Sequence, residues 1–445
     1  MAPLAGVRRS VRAIAAVSVL AALGQSPAGL SESALREYAG VYRWSPDSYV
    51  YLQLWDEFTG FGKPRELVSF DESGEVRTLY ASGKDAFVAG PGIALSAPIE
   101  SRIRFERDAH GKIISLVWDR SGAAQRRAPR VEIEREENVR FSNGEIRLAG
   151  TLVSPAASGS RPAVILVHGS GAENREYMLP WARFLVRHGI AVLGYDKRGV
   201  GESTGDWNTA TFDDLAGDVV AAFDYLKTRR DIDHARIGLL GISQAGWIMP
   251  IAANRAKGVA FLISISGAGV PAAETTIDQA RNEMTMTGMP PRAVDAVVEL
   301  MKLQYEFART GAGWDQYAAK RAQLVTRMGQ APPSFPGTPD DPYFGFIRRI
   351  YFYDPAPALR QLATPALALW GELDNNVLAE KNKSAWEAAL KTARNPDYTL
   401  KILPKADHAM WEGKTGSNAE TRSLQRFVPE YITAVRDWLV PRVTR

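Results

Sequence analysis

From about residue 140 onward, short runs that are apolar throughout alternate with amphipathic stretches. This pattern restricts the chain more than any other feature. The runs are Ala163-Val-Ile-Leu-Val167, Ile190-Ala-Val-Leu-Gly194, Arg236-Ile-Gly-Leu-Leu240 and Ala260-Phe-Leu-Ile-Ser264. Helical periodicity marks the segments near 176–188, 212–227 and 244–256. In the second of these, Leu215, Val219, Phe223 and Leu226 share one face, and Thr211 with Asp214 can cap its start. A strand without a polar face must be covered on both sides, and strands joined through helices run parallel. The pattern therefore predicts a mostly parallel sheet with helices on both faces. Strand signals return at Pro365-Ala-Leu-Ala-Leu-Trp370 and Tyr398-Thr-Leu-Lys-Ile-Leu403, followed by a helix near 423–440. Between them, residues 272–350 break the alternation with helical stretches at 293–310 and 315–328 and a Pro-rich segment at 331–342. An insertion at that point reads as a cap over the carboxyl edge of the sheet, where open α/β folds bind ligands. Apolar cap residues such as Met284, Met286 and Phe307 are expected to shape the pocket.

Residues 34–135 carry a different period. In Tyr49-Val-Tyr-Leu-Gln-Leu-Trp55, aromatics occupy one face and Val50, Leu52 and Leu54 the other. Turn signals recur at Glu72-Ser-Gly74, Ser82-Gly-Lys84 and Asp108-Ala-His-Gly111. Short strands with such turns predict a small antiparallel sheet or barrel, with its aromatics filling a core. Tyr38-Ala-Gly-Val-Tyr42, Ile103-Arg-Phe105 and the stretch 108–117 resemble the lipocalin-like β-domain found ahead of many secreted bacterial hydrolases.

The N-terminus follows neither pattern. Arg8, Arg9 and Arg12 are the only charges in residues 1–30, and an uncharged stretch from 13 to 24 follows them. This is the layout of a secretory signal, with cleavage after Gly24 or Ala28, and it predicts a periplasmic or secreted protein. The stretch is too short to span a bilayer, so no stable membrane insertion is expected. The division expected is a signal over 1–30, a β-domain over 31–138 and the α/β region over 139–445.

Composition removes several kinds of chemistry. The 445 residues contain no cysteine, which excludes disulfides, thiol nucleophiles and thiolate metal sites. Three of the net four positive charges lie in the N-terminal stretch, and no long basic run exists elsewhere. Nucleic acid is therefore not an expected partner. No metal-ligand cluster and no dinucleotide fingerprint is visible, so no cofactor is expected. Five histidines remain: His110, His168, His188, His234 and His408. His110 lies in a turn, and His188 reads as a cation at a helix C-terminus. His234 reads as a connector.

The central chemical signal is Leu239-Leu-Gly-Ile-Ser-Gln-Ala-Gly-Trp247, where a buried strand runs straight into a helix. A serine there stands on a sharp turn that needs small neighbours and presents its hydroxyl. The helix start directs the Gln244 amide toward a developing oxyanion. This turn resembles the nucleophile elbow of the α/β-hydrolase superfamily, as does the region 140–445 as a whole. The usual last glycine of the motif is Ala245 here, with Gly246 next.

The resemblance implies further roles. In Val167-His-Gly-Ser-Gly171, the second oxyanion donor is the Ser170 N–H, with Gly171 the alternative, and His168 shapes the loop. In Gly194-Tyr-Asp-Lys-Arg-Gly-Val-Gly-Glu-Ser203, Asp196, Arg198 and the glycines brace the loop beneath the site. The family order of nucleophile, acid and base leaves His408 as the base, because no other histidine follows Ser243. The acid is expected in Trp370-Gly-Glu-Leu-Asp-Asn-Asn-Val377, with Asp374 leading and Glu372 in reserve. Asp407 is adjacent to His408 and badly placed to meet its ring. The resulting expectation is an exported serine hydrolase with Ser243, Asp374 and His408 as its triad and no cofactor. It would cleave a small-molecule ester through an acyl-enzyme. A short peptide as substrate is the alternative, gripped by a cap carboxylate such as Glu283, Asp295, Glu299 or Glu306. A non-catalytic binding protein on the same fold is the more distant one. Oligomeric state is not legible.

Overall fold

The computed structural model describes residues 30–55, 65–328 and 334–444. The signal expected over 1–30 therefore lies outside the described residues, apart from Leu30. The first body is a closed antiparallel barrel in which every strand pairs with its sequence neighbour. Its strands are β1 (Gly40–Ser45), β2 (Ser48–Trp55), β3 (Glu66–Asp71), β4 (Val76–Gly83), β5 (Ala86–Ala89), β6 (Ser101–Arg107), β7 (Ile113–Arg120) and β8 (Arg126–Val131), and β8 returns to β1. A short helix, α1 (Glu32–Arg36), adds Leu35 to the barrel interior. Val50, Leu52 and Leu54 point into that interior, as the alternation of β2 requires. There they meet Tyr38, Tyr42, Phe87 and Phe105, whose rings contact one another at 4.7–5.9 Å. The barrel is filled by its own side chains.

The second body is an eight-stranded sheet. It begins with the antiparallel hairpin β9 (Glu134–Asn143) and β10 (Ile146–Pro155). It continues with β11 (Arg161–Val167), β12 (Ala191–Tyr195), β13 (Ile232–Ile242), β14 (Leu262–Ile265), β15 (Ala366–Gly371) and β16 (Tyr398–Leu403). The spatial order is β16-β15-β14-β13-β11-β12-β10-β9, and the six strands from β11 onward are parallel to their neighbours within that set. Successive residues of one strand serve two cores. Ile165 and Val167 face α3 (Phe212–Lys227), α4 (Ala245–Arg255) and α10 (Ala379–Thr392), whereas Val164 and Leu166 face α2 (Leu179–Arg187) and α11 (Pro429–Val443). This two-sided burial explains the unbroken apolar runs. The capping box at Thr211 and Asp214 is formed, so α3 starts where the sequence placed it.

Between β14 and β15 the chain builds the helical cap: α5 (Ala272–Met286), α6 (Pro291–Thr310), α7 (Trp314–Met328) and α8 (Pro342–Ile350), before the short α9 (Ala356–Leu359). Phe307, expected to shape the pocket, is buried within the cap. Its ring lies 4.8 Å from Phe344 and 5.2 Å from Trp314, inside the cap's own core. Met286 is exposed and Met284 packs partly against the core. A helix pair must bury its own apolar stripe first, and the sequence does not distinguish that stripe from a pocket wall.

The two bodies share a core. The outer face of β2 and β3, with Tyr51, Trp55, Val68 and Phe70, packs into the cluster that contains α11, Trp411 and Phe427. Backbone bonds stitch the seam: Val76 N–H to Gln425 O (3.1 Å), Ile93 N–H to Leu424 O (2.7 Å) and Phe427 N–H to Gly74 O (3.0 Å).

Candidate functional site

Every candidate residue emerges from the carboxyl edge of the parallel strands, the edge where such sheets bind ligands. Ser243 follows β13 with φ of 57°, a left-handed conformation unusual for a residue with a side chain. The crowding that forces this turn is visible in its glycines. A Cβ at Gly241 would meet Ala245 Cβ at 2.4 Å and Val167 O at 2.7 Å, and one at Gly246 would meet Gly267 and Ala268 backbone at 2.6 Å. Ala245 is accommodated because Gly241 opposite it has no side chain. The Gln244 N–H lies at the start of α4, where backbone donors have no intrahelical acceptor.

The loops after β15 and β16 bring Asp374 and His408 together. Asp374 is 3% exposed, and its carboxylate lies 2.9 and 3.0 Å from His408 Nδ1. The same carboxylate accepts the Asn376 and Val377 N–H groups at 2.9 and 2.8 Å, which fixes its orientation. With Nδ1 donating to Asp374, Nε2 is the ring atom left for proton transfer. Burial disfavours the His408 cation, but the charge of Asp374 and its hydrogen bond outweigh that effect and raise the pKa above its ordinary value. The other two carboxylates of these loops are otherwise engaged. Glu372 accepts the Lys405 N–H at 2.9 Å. Asp407 accepts the Ala409 and Trp411 N–H groups at 2.9 Å, and burial pushes its carboxyl up to about 6.

The loop after β11 forms the opposite wall. His168 is buried with Nε2 2.5 Å from Tyr195 O, and burial drives its pKa down to about 3. It is a neutral brace for the loop. The Gly169 N–H donates to Glu173 Oε2 at 2.7 Å and so is unavailable to a substrate. Among the described residues, no hydrogen bond engages the N–H of Ser170 or Gly171. Beneath this loop Asp196 receives Arg175 through two contacts of 2.7 and 3.1 Å, and Arg198 pairs bidentately with Asp218 at 2.7 Å.

Sequence reasoning missed two buried groups here. Glu173 is 4% exposed, and burial raises its carboxyl pKa, opposed by the charge of Lys197. Lys197 is almost wholly buried, which lowers its pKa. Glu173 stands four residues after Gly169, and Lys197 sits inside the Asp196–Arg198 motif; both positions were the available signals. His188 is also corrected. Burial and the neighbouring Arg187 depress its pKa to about 4, so it caps α2 as a neutral ring packed edge-on against Phe184. His110 is exposed in its turn, and His234 Nε2 lies 2.9 Å from Arg229 O.

A carboxylate-oriented histidine and a serine elbow on the same edge of this sheet mark the architecture of an α/β hydrolase. The chain belongs to the alpha/beta hydrolase family, whose family model matches residues 164–418, more than half of the sequence. It is similar to Esterase EstD of Thermotoga maritima, 26% identical over 335 residues covering 70% of this chain and 72% of EstD. It is also similar to Thiohydrolase aneE of Aspergillus aculeatus, 34% identical over 194 residues, 43% of this chain and 55% of that one. Solved structures that resemble it include the alpha/beta hydrolase GrgF from Penicillium (21% identity, TM-score 0.45, 70% of this chain and all of that one). A thermophilic esterase from Thermogutta terrifontis is another (20% identity, TM-score 0.40, 69% and 99%). Among the described residues, no group of side chains fits a metal ion and no helix is long and apolar enough to cross a membrane.

Proposed function

We propose that the protein is an exported serine hydrolase that cleaves carboxylic esters of small molecules. Ser243 Oγ attacks the ester carbonyl as His408 Nε2 takes its proton, while Asp374 holds the ring and stabilises the imidazolium. The Gln244 N–H and the Ser170 N–H receive the oxyanion. Collapse of the tetrahedral adduct releases the alcohol, which takes the proton from His408. Water, activated by the same nitrogen, then hydrolyses the acyl-enzyme. The observation that carries this reading is the Asp374–His408 pair at 2.9 Å, set on the same sheet edge as a serine held at positive φ. The similarity to an esterase over most of both chains favours an ester substrate.

The cap carboxylates argue against a peptidase that grips a substrate amine. Asp295 pairs with Arg281 at 2.9 Å, Glu306 with Arg309 at 2.7 Å and Glu299 with Lys320, and Glu283 accepts from Gln279 at 3.0 Å. Screening p-nitrophenyl esters against aminoacyl and peptidyl anilides, with a fluorophosphonate to label the nucleophile, tests the whole reading. Turnover of anilides alone overturns the ester assignment, and labelling elsewhere than Ser243 overturns the nucleophile. Export rests on the basic-then-apolar N-terminus. N-terminal sequencing of the active protein should find it starting between about residues 25 and 31, whereas active protein retaining Met1 overturns the proposal.

A further inference from the structure

Lys197 lies between the bracing residues Asp196 and Arg198, but its side chain turns into the protein and is 2% exposed. Its Nζ donates to Gly169 O at 2.8 Å, Gly171 O at 3.1 Å and Gln244 Oε1 at 2.9 Å. An ammonium has three N–H donors, and all three are used. The ring of Trp207 lies 5.5 Å from the charge. None of the described carboxylates forms an ion pair with it. Its direct partners are all neutral oxygens, and the carboxylates of Glu173 and Asp218 act on it only from beyond ion-pair distance, so burying this charge remains costly.

What the three acceptors share is position. Two belong to the loop that carries Ser170, and the third belongs to the residue after Ser243. Across a trans peptide, the carbonyl oxygen of one residue and the N–H of the next point in opposite directions. Fixing Gly169 O downward on Lys197 therefore turns the Ser170 N–H the other way, away from the protein interior. The Gly171 N–H belongs to the peptide of Ser170 O, which Lys197 does not hold. The same ammonium anchors the side chain of Gln244, the N-cap of α4 whose own N–H is the other proposed donor. Its hydrogen bond also polarises the Gly169–Ser170 peptide, which makes the Ser170 N–H a stronger donor.

We propose that Lys197 is the positioning residue of the oxyanion hole: one buried ammonium orients the Ser170 amide, sets its separation from the Gln244 amide and adds positive potential where the oxyanion forms. This rests on the serine-hydrolase reading above. It selects Ser170 over Gly171 as the loop donor.

The test is Lys197→Met, which keeps length and apolar volume while removing charge and donors. It should fold and still react with fluorophosphonate at Ser243. Loss of one oxyanion donor in other hydrolases lowers kcat by roughly 10²–10³, and a fall on that scale is expected here. The affinity for a trifluoromethyl ketone, which forms a tetrahedral oxyanion on the serine, should fall in parallel. KM should change less than about threefold, because a planar ester makes little use of these donors. If the methionine variant does not fold, Lys197→Gln, which retains one donor, carries the same readouts. A folded variant with near-parental kcat overturns the proposal, as does a loss of kcat with unchanged trifluoromethyl ketone affinity. If the parent is not labelled at Ser243, the hydrolase reading fails first and this proposal with it.

Discussion

The barrel and the carboxyl edge of the sheet bury side chains for opposite ends. The barrel interior is hydrocarbon and aromatic, from Leu52 and Leu54 to Phe87 and Phe105. The sheet edge buries Glu173, Asp196, Lys197 and Asp374 on a few loops, with Asp218 on α3 beneath them. In the first region each side chain gains by leaving water. In the second each charged group leaves water at a cost that only directed hydrogen bonds offset. A substitution in the barrel should therefore register as stability, and one at the edge as activity.

The sharpest division comes from the elbow. Ser243→Ala removes the proposed nucleophile and should lower ester turnover by several powers of ten. Thermal unfolding should shift by only a few degrees, and a calorimetric scan beside the assay checks both. Next is Asp374→Asn, which keeps the shape but loses the charge that orients and stabilises the His408 ring. Its expected cost is up to ~10⁴-fold in kcat, the scale of the equivalent change in other triads.

The barrel gives the converse. Leu52→Ala should cost about 2–5 kcal/mol of stability, read by denaturant unfolding, with kcat of the folded fraction unchanged. A variant that lost activity without losing stability would break the comparison, since it would place the barrel in the catalytic apparatus.

A smaller effect concerns pH. In the proposed mechanism His408 must be neutral to accept the serine proton, and Asp374 raises its pKa. The value of kcat/KM should therefore fall as pH drops, with a midpoint above ~6.5, the ordinary value for histidine. Weakening the pair through Asp374→Asn should move that midpoint downward, which a pH–rate profile of the residual activity would show. The smallest effect belongs to Glu372→Gln, which retains an oxygen to accept the Lys405 N–H. Turnover should stay within about threefold of the parent. A crippled Glu372→Gln beside a healthy Asp374→Asn would transfer the acid role.

The same contrast explains what could be read in the sequence. The segments 212–227 and 398–403 are legible to the residue, because local signals set their ends: a capping box in one, and a run bounded by loop residues in the other. The serine elbow and the Asp374 and His408 loops are legible because their chemistry needs particular residue types at fixed places in the chain order. Tyr51 and Trp55 are a harder case. Alternation shows that they share a face, but their burial is supplied by Trp411 and Phe427, more than 350 residues away in the chain. Lys197 is illegible for a related reason. A lysine between an aspartate and an arginine looks like surface charge, and only the assembled loop reveals three carbonyl-type oxygens around it. His188 fails in the same way, since burial and the neighbouring Arg187 change its charge state.

The backbone seam between the barrel and residues 422–428 has a consequence for the order of events in synthesis. The barrel is the first body to leave the ribosome, and its eight strands can pair with no help from later sequence. Its outward-facing Trp55 and Phe70, however, pack against Trp411 and Phe427, which are translated long after the last barrel strand. For most of translation the finished barrel thus carries a bare, sticky flank and unanswered amides at Val76 and Ile93. Nascent chains arrested before residue 420 should bind a dye for exposed apolar surface or recruit a holding chaperone, and chains released in full should do neither. The barrel is complete early, but its backbone seam and part of its outer face are answered only by the much later residues 411–428.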